Sequence, residues 1–120
     1  MPVCPNCGSS IKEGVYCPYC GSGIIGSVTE IKNRKFELIN FINSKPVIYD
    51  DTEYLYRVEI LKDRNTNELF VRFSYLFREV GSDKWKWGSK REPILKLNSE
   101  FKDLINKLLN CPEIREITNV

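Results

Sequence analysis

Four cysteines near the N-terminus have the spacing of a metal site. The pattern Cys-Pro-x-Cys-Gly occurs twice and places thiols at Cys4, Cys7, Cys17 and Cys20. Within each Cys-x-x-Cys both sulfurs can point to one side, and the following glycine permits the tight turn that directs amide N–H groups at the thiolates. Two such knuckles form the closed four-sulfur geometry of structural zinc. The spacing therefore predicts one structural Zn²⁺ and a zinc ribbon over residues 1–23.

Disulfide pairing and a thioredoxin-like redox motif are the competing interpretations of these cysteines. A redox Cys-x-x-Cys normally stands alone before a helix, and an intracellular chain keeps structural thiols reduced. Only nine residues separate the two knuckles, which leaves the segment too short to build a core of its own. We therefore expect metal binding and ribbon folding to be one event, and the ribbon to be stabilised separately from the rest of the chain.

A second group of residues combines cations with aromatic rings. Residues 84–91 contain four cations, two tryptophans and no acid. Cations bind phosphates and aromatic faces stack on bases, so this composition is typical of a single-stranded nucleic-acid surface. Together with two arginines of the preceding strand, the candidate residues are Arg72, Arg78, Lys84, Trp85, Lys86, Trp87, Lys90 and Arg91.

Each of these candidates also has an ordinary structural explanation. One tryptophan can be buried while the other flanks solvent in a hairpin. The four cations of residues 84–91 can belong to a solvated loop. Arg72 and Arg78 can pair with Glu59 or Glu68 as cross-strand partners.

Residues 69–78 alternate at period two, as the residues of one long strand do. The odd positions are Leu, Val, Phe, Tyr and Phe, and the even positions are Phe, Arg, Ser, Leu and Arg. The pattern predicts that the odd face packs in the core. The even face, with Arg72 and Arg78, is expected to meet water, the first helix, another subunit or a ligand.

The neighbouring segments predict an antiparallel sheet. Residues 53–62 also alternate, and the turn chemistry of residues 63–67 joins them to the central strand as a hairpin. Residues 84–87 and 91–97 are predicted as the third and fourth strands. Ser27-x-x-Glu30 matches a capping box and favours a helix over residues 28–43, within a linker at residues 24–52, although residues 36–38 also alternate as in a strand.

An amphipathic helix follows the last predicted strand. Asn98 is a good N-cap, and Pro112 ends the helix. Its apolar stripe consists of Phe101, Leu104, Ile105, Leu108 and Leu109. The expected fold class is α+β: a small zinc ribbon plus a curved four-stranded antiparallel sheet packed on a C-terminal helix, in which residues 53–120 form the nucleic-acid-binding-like domain.

Composition argues against catalysis. The chain of 120 residues contains no histidine, which removes the commonest acid–base and nucleophile-activating group, so an enzyme is not expected. The formal charge is +2 with neutral thiols, so only a local bias of charge can favour nucleic acid. No apolar run is long enough to span a membrane, and no basic-then-apolar leader is present, so we expect a soluble, cytoplasmic protein.

The predicted elements are, in order, a hairpin with a long second strand, a basic segment before the last strand, and an amphipathic helix. This order resembles the positive cofactor four family of transcriptional coactivators. Residues 88–98 carry the resemblance most closely, with Gly-Ser-Lys-Arg-Glu-Pro-Ile-Leu-Lys-Leu-Asn before the helix. It covers residues 54–110, about half of the chain. The resemblance implies a dimer that binds single-stranded DNA, with Arg72, Tyr75, Lys90 and Arg91 on or beside the strand-binding surface.

The expected function is binding of single-stranded nucleic acid, with little sequence specificity, in transcription, replication or repair. We expect a homodimer, which can also bind a protein partner through its zinc ribbon. The alternative is a zinc-ribbon adaptor for protein–protein interaction in the transcription machinery, because an exposed sheet face with aromatic residues also suits a protein partner.

Overall fold

Two tight turns fold residues 28–63 into antiparallel strands. In the computed structural model, which describes residues 3–11, 14–88 and 94–117, Lys32 and Asn33 have φ angles of 50° and 64°. Asp50 and Asp51 have φ angles of 52° and 62°. Positive φ at both central residues is typical of the type I′ hairpin turn, whose twist matches the flanking strands. The strands are β1 (Val28–Ile31), β2 (Arg34–Asn43), β3 (Val47–Tyr49) and β4 (Thr52–Asp63).

The prediction of a helix over residues 28–43 is wrong. β1 and β2 pair there as a hairpin, with Val28 opposite Glu37. The Ser27 hydroxyl donates to the carbonyl of Ile24 at 2.6 Å and does not cap a helix. The aromatic and β-branched residues of β2 fit a pleated strand better than a helix. The segment at residues 24–52, interpreted from the sequence as a linker, therefore contributes three strands to the sheet.

β4 and β5 (Leu69–Glu79) form the long hairpin at the centre of the sheet. Their register runs from Thr52 opposite Glu79 to Lys62 opposite Leu69. The Asp63 carboxylate accepts the backbone N–H of Asn65 at 2.8 Å, which fixes the turn at residues 63–67. The predicted hairpin and its turn are confirmed.

Two short strands share the other edge of β5. They are β6 (Lys86–Trp87) and β7 (Ile94–Lys96), and both pair antiparallel with β5. The strand order is β1-β2-β4-β5-β6, with β3 beside β4 and β7 beside β5. The sheet is antiparallel as predicted, but the described residues build it from seven strands where the sequence pattern predicted four.

The sheet has two faces, and the sequence pattern assigned them the wrong way round. The inner face consists of Leu55, Arg57, Glu59 and Leu61 on β4 with Phe70, Arg72, Ser74, Leu76 and Arg78 on β5. The outer face consists of Tyr54, Tyr56 and Val58 on β4 with Phe73, Tyr75 and Phe77 on β5. Arg72 and Leu76 are buried, whereas Phe73 is 40% exposed. The even positions of β5 therefore face the interior, although two of them are arginines.

Two clusters of apolar side chains pack on the inner face. One consists of Phe36, Leu38 and Leu61, with Phe70 half-buried against it. The other consists of Leu55, Leu76 and Trp85, with Tyr16 and Trp87 packed against it. Tyr16 belongs to the cysteine-rich segment, so this segment, and not a helix, covers the second cluster.

Helix α1 (Ser99–Leu109) begins at Asn98, whose side chain accepts the N–H of Phe101 at 2.9 Å, and α2 (Pro112–Arg115) follows it. The predicted helix and its N-cap are confirmed. Its predicted packing is not: no residue of α1, which lies wholly within the described range 94–117, is buried. The Phe101 ring contacts the Phe73 ring at 6.3 Å between centroids. None of the helices in the described ranges has the length and apolarity needed to cross a lipid bilayer.

Candidate metal centre and aromatic face

The two cysteine knuckles have the same backbone geometry. The N–H of Gly8 donates to the carbonyl of Cys4 at 2.8 Å, and the N–H of Gly21 donates to the carbonyl of Cys17 at 2.9 Å. Both glycines have a φ of 79°, a conformation that residues with a Cβ rarely adopt. The repeated pentapeptide therefore forms two equivalent turns, each with two thiols directed to one point.

The four thiols meet between these turns. All four sulfur atoms lie within 4.8 Å of one another, with Cys4 Sγ 3.6 Å from Cys20 Sγ and Cys7 Sγ 3.7 Å from Cys17 Sγ. Cys4 and Cys17 are buried with Ile11 in a small cluster of their own. The four cysteines are positioned to bind a metal ion, and four sulfurs fill a tetrahedral coordination sphere without an open position for a substrate.

Cys7 and Cys17 differ in how readily they ionise. Hydrogen bonding with the side chain and then the backbone of Ser9, whose Oγ lies 3.3 Å from Cys7 Sγ, lowers the pKa of Cys7 to about 6. Burial raises the pKa of Cys17 to about 12. Cysteine binds a metal as the thiolate. Cys7 therefore loses its proton more readily than Cys17 before a metal binds.

The second knuckle lies directly on the inner face of the sheet. The N–H of Trp85 donates to the carbonyl of Pro18 at 2.6 Å, and the Asn43 side-chain amide donates to the carbonyl of Gly21 at 2.9 Å. The Arg57 guanidinium donates to the carbonyl of Val15 at 3.2 Å. The cysteine-rich segment and the sheet therefore share a core.

Beneath this segment lies a buried network of two arginines and one glutamate. Glu59 accepts a hydrogen bond from Arg72 Nε at 2.6 Å, and Arg57 Nε lies 3.4 Å from the second carboxylate oxygen. The guanidinium of Arg57 lies over the Phe41 ring and that of Arg72 over the Trp87 ring, at 5.1 and 4.9 Å from the centroids. Burial lowers the pKa of Arg57. Arg57 and Arg72 are therefore buried inside the fold, where they interact with Glu59 and with aromatic rings.

The candidate residues from the sequence analysis are not brought together on one exposed surface. Arg72 pairs with Glu59, as one alternative predicted, and Arg78 pairs with Glu53 at 2.6 Å and lies over the Trp85 ring. Trp85 itself is only 4% exposed. The inner face therefore does not present these three candidate side chains to a ligand.

The remaining candidates are scattered. Lys84 lies over the Tyr19 ring at 5.6 Å, and the half-buried Trp87 contacts the Tyr16 ring. Lys86 is exposed opposite Phe77, on the outer face, where Tyr75 also lies. Lys90 and Arg91 lie outside the described residues, and their proposed role stays a prediction.

The outer face contains a cavity that the sequence pattern did not predict. Tyr49, Tyr54, Tyr56 and Tyr75 line about 240 Å³ at the end of the sheet where β3 turns into β4, and we call this cavity the tyrosine box. A signal was present in the sequence, because Tyr54 and Tyr56 share a strand face and Tyr75 lies on the facing strand of the hairpin.

Comparison of the chain with protein-family models, with curated proteins and with solved structures gave no match. The resemblance to the positive cofactor four family therefore stays a prediction, and function has to be argued from the geometry described above.

Proposed function

We propose that the chain is a metal-containing adaptor that binds another protein through the outer face of its sheet. The supporting observation is a continuous exposed apolar surface. Tyr56 and Phe73 are 54% and 40% exposed on neighbouring strands, and Ile42 is 65% exposed. Val58 connects them, because it lies opposite Ile42 on β2 and opposite Phe73 on β5. Large apolar groups exposed side by side are typical of protein-binding surfaces.

Helix α1 extends this surface. Phe101 contacts Phe73, and Leu104 and Leu108 follow it at the spacing of one helix face. These leucines are 56% and 48% exposed. Complete burial of each such side chain against a partner stabilises the complex by about 1.5–3 kcal/mol. The gain is smaller in proportion to the side-chain area that is already buried in the free chain. A partner that covers both the sheet face and the helix stripe gains several such contributions.

The charges of the sheet favour a protein partner over nucleic acid. Arg72 and Arg78 are paired with glutamates, and Arg57 is buried beneath the second knuckle. Affinity for nucleic acid comes largely from cations that neutralise phosphates. A partner held mainly by apolar contacts needs no such cations.

The test compares charged substitutions on the two sides of the sheet. Phe73→Asp and Leu104→Asp place a carboxylate in the proposed interface. Ile48→Asp is the matched control, because Ile48 is 64% exposed but lies opposite Glu53, on the side of the inner face. We expect the wild type and Ile48→Asp to co-purify the same protein from the cells of origin, and the other two variants to lose it at least tenfold. Equal recovery with all four proteins would refute the proposal.

A second copy of the chain is the competing occupant of the same surface. A homodimer would bury the outer face of each protomer against the other and leave no adaptor surface there. Light scattering at high micromolar concentration separates the two cases. A dimer mass that Phe73→Asp reduces to the monomer mass assigns the face to self-association, whereas a monomer mass for the wild type leaves it for another protein.

The support for zinc as the bound metal is the donor set. Four thiolates in a tetrahedral arrangement are typical of structural zinc sites, and the two buried cysteines form the centre of an otherwise coreless segment. Purified protein should contain one equivalent of Zn²⁺, and Cys20→Ser should contain much less. Substoichiometric zinc in the wild type together with reducible disulfides would contradict this assignment.

Single-stranded nucleic acid is the second candidate ligand. The observation that favours it is the group of exposed rings on the outer face with Lys86 on the same side, since rings stack on any base. Titration with poly-dT, poly-U and duplex at two salt concentrations tests it. Binding of single strands with a log–log salt slope of about −0.7 per phosphate contact, abolished by Phe73→Asp, would favour nucleic acid over a protein partner.

A further inference from the structure

The tyrosine box is lined by aromatic rings. Among the residues that the structure describes, its lining consists of four tyrosines and no charged side chain. Tyr54 and Tyr75 are half-buried and form its floor, with ring centroids 6.0 Å apart and planes inclined at 57°. Tyr49 and Tyr56 are exposed and form its rim. Four aromatic rings therefore surround one small volume.

The backbone holds the floor of the box in place. The ring of Tyr75 lies against Gly88, where an added Cβ would overlap the ring. The N–H of Gly88 also donates to the carbonyl of Tyr75 at 2.9 Å. Tyr56 is directly opposite Tyr75 in the β4–β5 register. The position of the Tyr75 ring is therefore fixed by its packing against Gly88.

Three carboxylates lie at the same end of the sheet. Asp50 and Asp51 form the turn that directly follows Tyr49, and Glu79 lies opposite Thr52, two residues before Tyr54. The N–H of Val80 donates to the carbonyl of Asp51 at 3.2 Å, so this turn lies beside the end of β5. None of the three acids forms an ion pair with another residue in the described ranges. These three acids outnumber Lys86, which lies on the same face opposite Phe77.

We propose that the tyrosine box binds the methylated ammonium group of a lysine side chain in the protein partner. This inference rests on the proposed adaptor function, because it takes the ligand to be part of a protein. An alkylated ammonium carries its charge on methyl groups that are weakly hydrated, so aromatic faces can replace its water shell. The nearby carboxylates add a longer-range attraction that places the cation at this end of the interface.

Other ligands fit the box less well. An unmodified lysine keeps three N–H groups that need acceptors, and leaving a buried polar group without a partner is unfavourable. A nucleobase can stack on tyrosine, but its phosphates would meet the three nearby carboxylates. The methylated cation is compatible with both the rings and the acids.

The experiment titrates the full chain with small ligands and follows the tyrosine ring signals by NMR. Choline and 3,3-dimethylbutan-1-ol have the same shape but differ in charge. We expect choline and N-acetyl-trimethyl-lysine amide to bind, the neutral isostere to bind about tenfold more weakly, and the unmodified lysine amide to bind more weakly still. Equal binding of choline and its neutral isostere would overturn the proposal, because the box would then be merely apolar.

Variants locate the binding and keep the test independent of folding. Tyr54→Ala and Gly88→Ala should abolish choline binding, and Tyr19→Ala, outside the box, should not. Asp50→Asn with Asp51→Asn should weaken choline several-fold without changing the neutral isostere, since asparagine tolerates positive φ and preserves the turn. An unchanged choline affinity in that double variant would contradict the proposed attraction between the bound cation and the nearby carboxylates.

Two further measurements identify the source of the cation and distinguish failure of this inference from failure of the adaptor proposal. A peptide with trimethyl-lysine should bind more tightly than choline, whereas a peptide that binds no better than choline would overturn the protein source. Phe73→Asp should lose the protein partner but retain choline. If the wild type fails to bind choline while Phe73→Asp still loses a partner, the box inference fails and the adaptor proposal stands.

Discussion

The backbone N–H of Trp85 donates to the carbonyl of Pro18 at 2.6 Å, which attaches the second cysteine knuckle to the loop before β6. Trp85 is only 4% exposed and packs with Leu55 and Leu76. The expectation that the ribbon and the sheet are stabilised separately is therefore wrong, because the ribbon covers one of the two clusters of the sheet. We therefore expect a metal bound by the four cysteines to stabilise that cluster as well as the cysteine-rich segment.

Substitution of one of the four clustered cysteines should therefore change the environment of Trp85. In Cys17→Ser we expect loss of the metal, a red shift of tryptophan emission and a loss of about 3 kcal/mol of unfolding free energy, because the cover of Leu55 and Trp85 is lost. The cluster of Phe36, Leu38 and Leu61 should keep the sheet folded, as judged by far-UV circular dichroism. Cys111→Ser, at an exposed cysteine outside the metal cluster, is the control and should leave emission unchanged.

The contact between Gly23 and the inner face gives a second test of this docking. A Cβ at Gly23 would overlap the guanidinium of Arg57 and the ring of Phe41. Gly23→Ala should therefore lower the unfolding free energy by about 1–3 kcal/mol. Gly14→Ala is the matched control, because nothing lies within 4 Å of its added Cβ. Chemical denaturation of the two variants measures the difference, and equal stabilities would show that Gly23 is not packed against the sheet.

The buried carboxylate of Glu59 faces two guanidiniums. Glu59→Gln should lower the unfolding free energy by about 3–5 kcal/mol, since it leaves Arg57 and Arg72 buried without a counter-charge. Glu68→Gln breaks the exposed pair between Glu68 and Lys96 and should lower it by at most about 1 kcal/mol. Urea denaturation compares the two. A small effect at Glu59 would mean that water or an anion reaches this network.

Asp63 contributes to the pH dependence of folding stability. Hydrogen bonds from the backbone of Asn65 and from Arg34 lower the pKa of Asp63 below its ordinary value. A carboxylate with a depressed pKa stabilises the fold above its unfolded-state pKa of about 3.9, and this contribution is lost as pH falls through the folded-state value. Asp63→Asn should therefore flatten the decline of melting temperature below about pH 4. An identical decline in the variant would show that other groups control acid unfolding.

Local signals in the sequence predicted several parts of the structure correctly. The doubled Cys-x-x-Cys-Gly pattern predicted the thiol cluster because both knuckles are local turns. Period-two alternation around the turn at residues 63–67 predicted the β4–β5 hairpin, and Asn98 predicted the start of α1. Each of these features is determined by residues close together in the chain.

Other features depend on contacts between distant segments, and these could not be predicted. Alternation shows that a strand has two faces but not which one is covered. Here the cysteine-rich segment covers the face of Arg57, Glu59 and Arg72, and hydropathy alone assigns those charges to solvent. The segment at residues 28–43 fits both periodicities over short windows. Its type I′ turn at Lys32 and Asn33 contains no glycine or proline to reveal it.

The tyrosine box belongs to the same class of long-range features. Tyr49 reaches it from β3, which the sequence analysis left outside the sheet. Alternation placed Tyr75 on the predicted core face, whereas the family resemblance implied a place on or beside the strand-binding surface. Its position against Gly88 could only be found once the strand pairs were known.

Site-specific photocrosslinking tests the proposed use of the outer face most directly. A benzoyl-phenylalanine at position 73 replaces one exposed aromatic ring with another, and the same residue at position 48 samples the opposite side of the sheet. After irradiation in the cells of origin, we expect one discrete, protease-sensitive adduct from position 73 and none from position 48. A nuclease-sensitive adduct, an adduct of twice the chain mass, or equal adducts from both positions would contradict the assignment of this face to a protein partner.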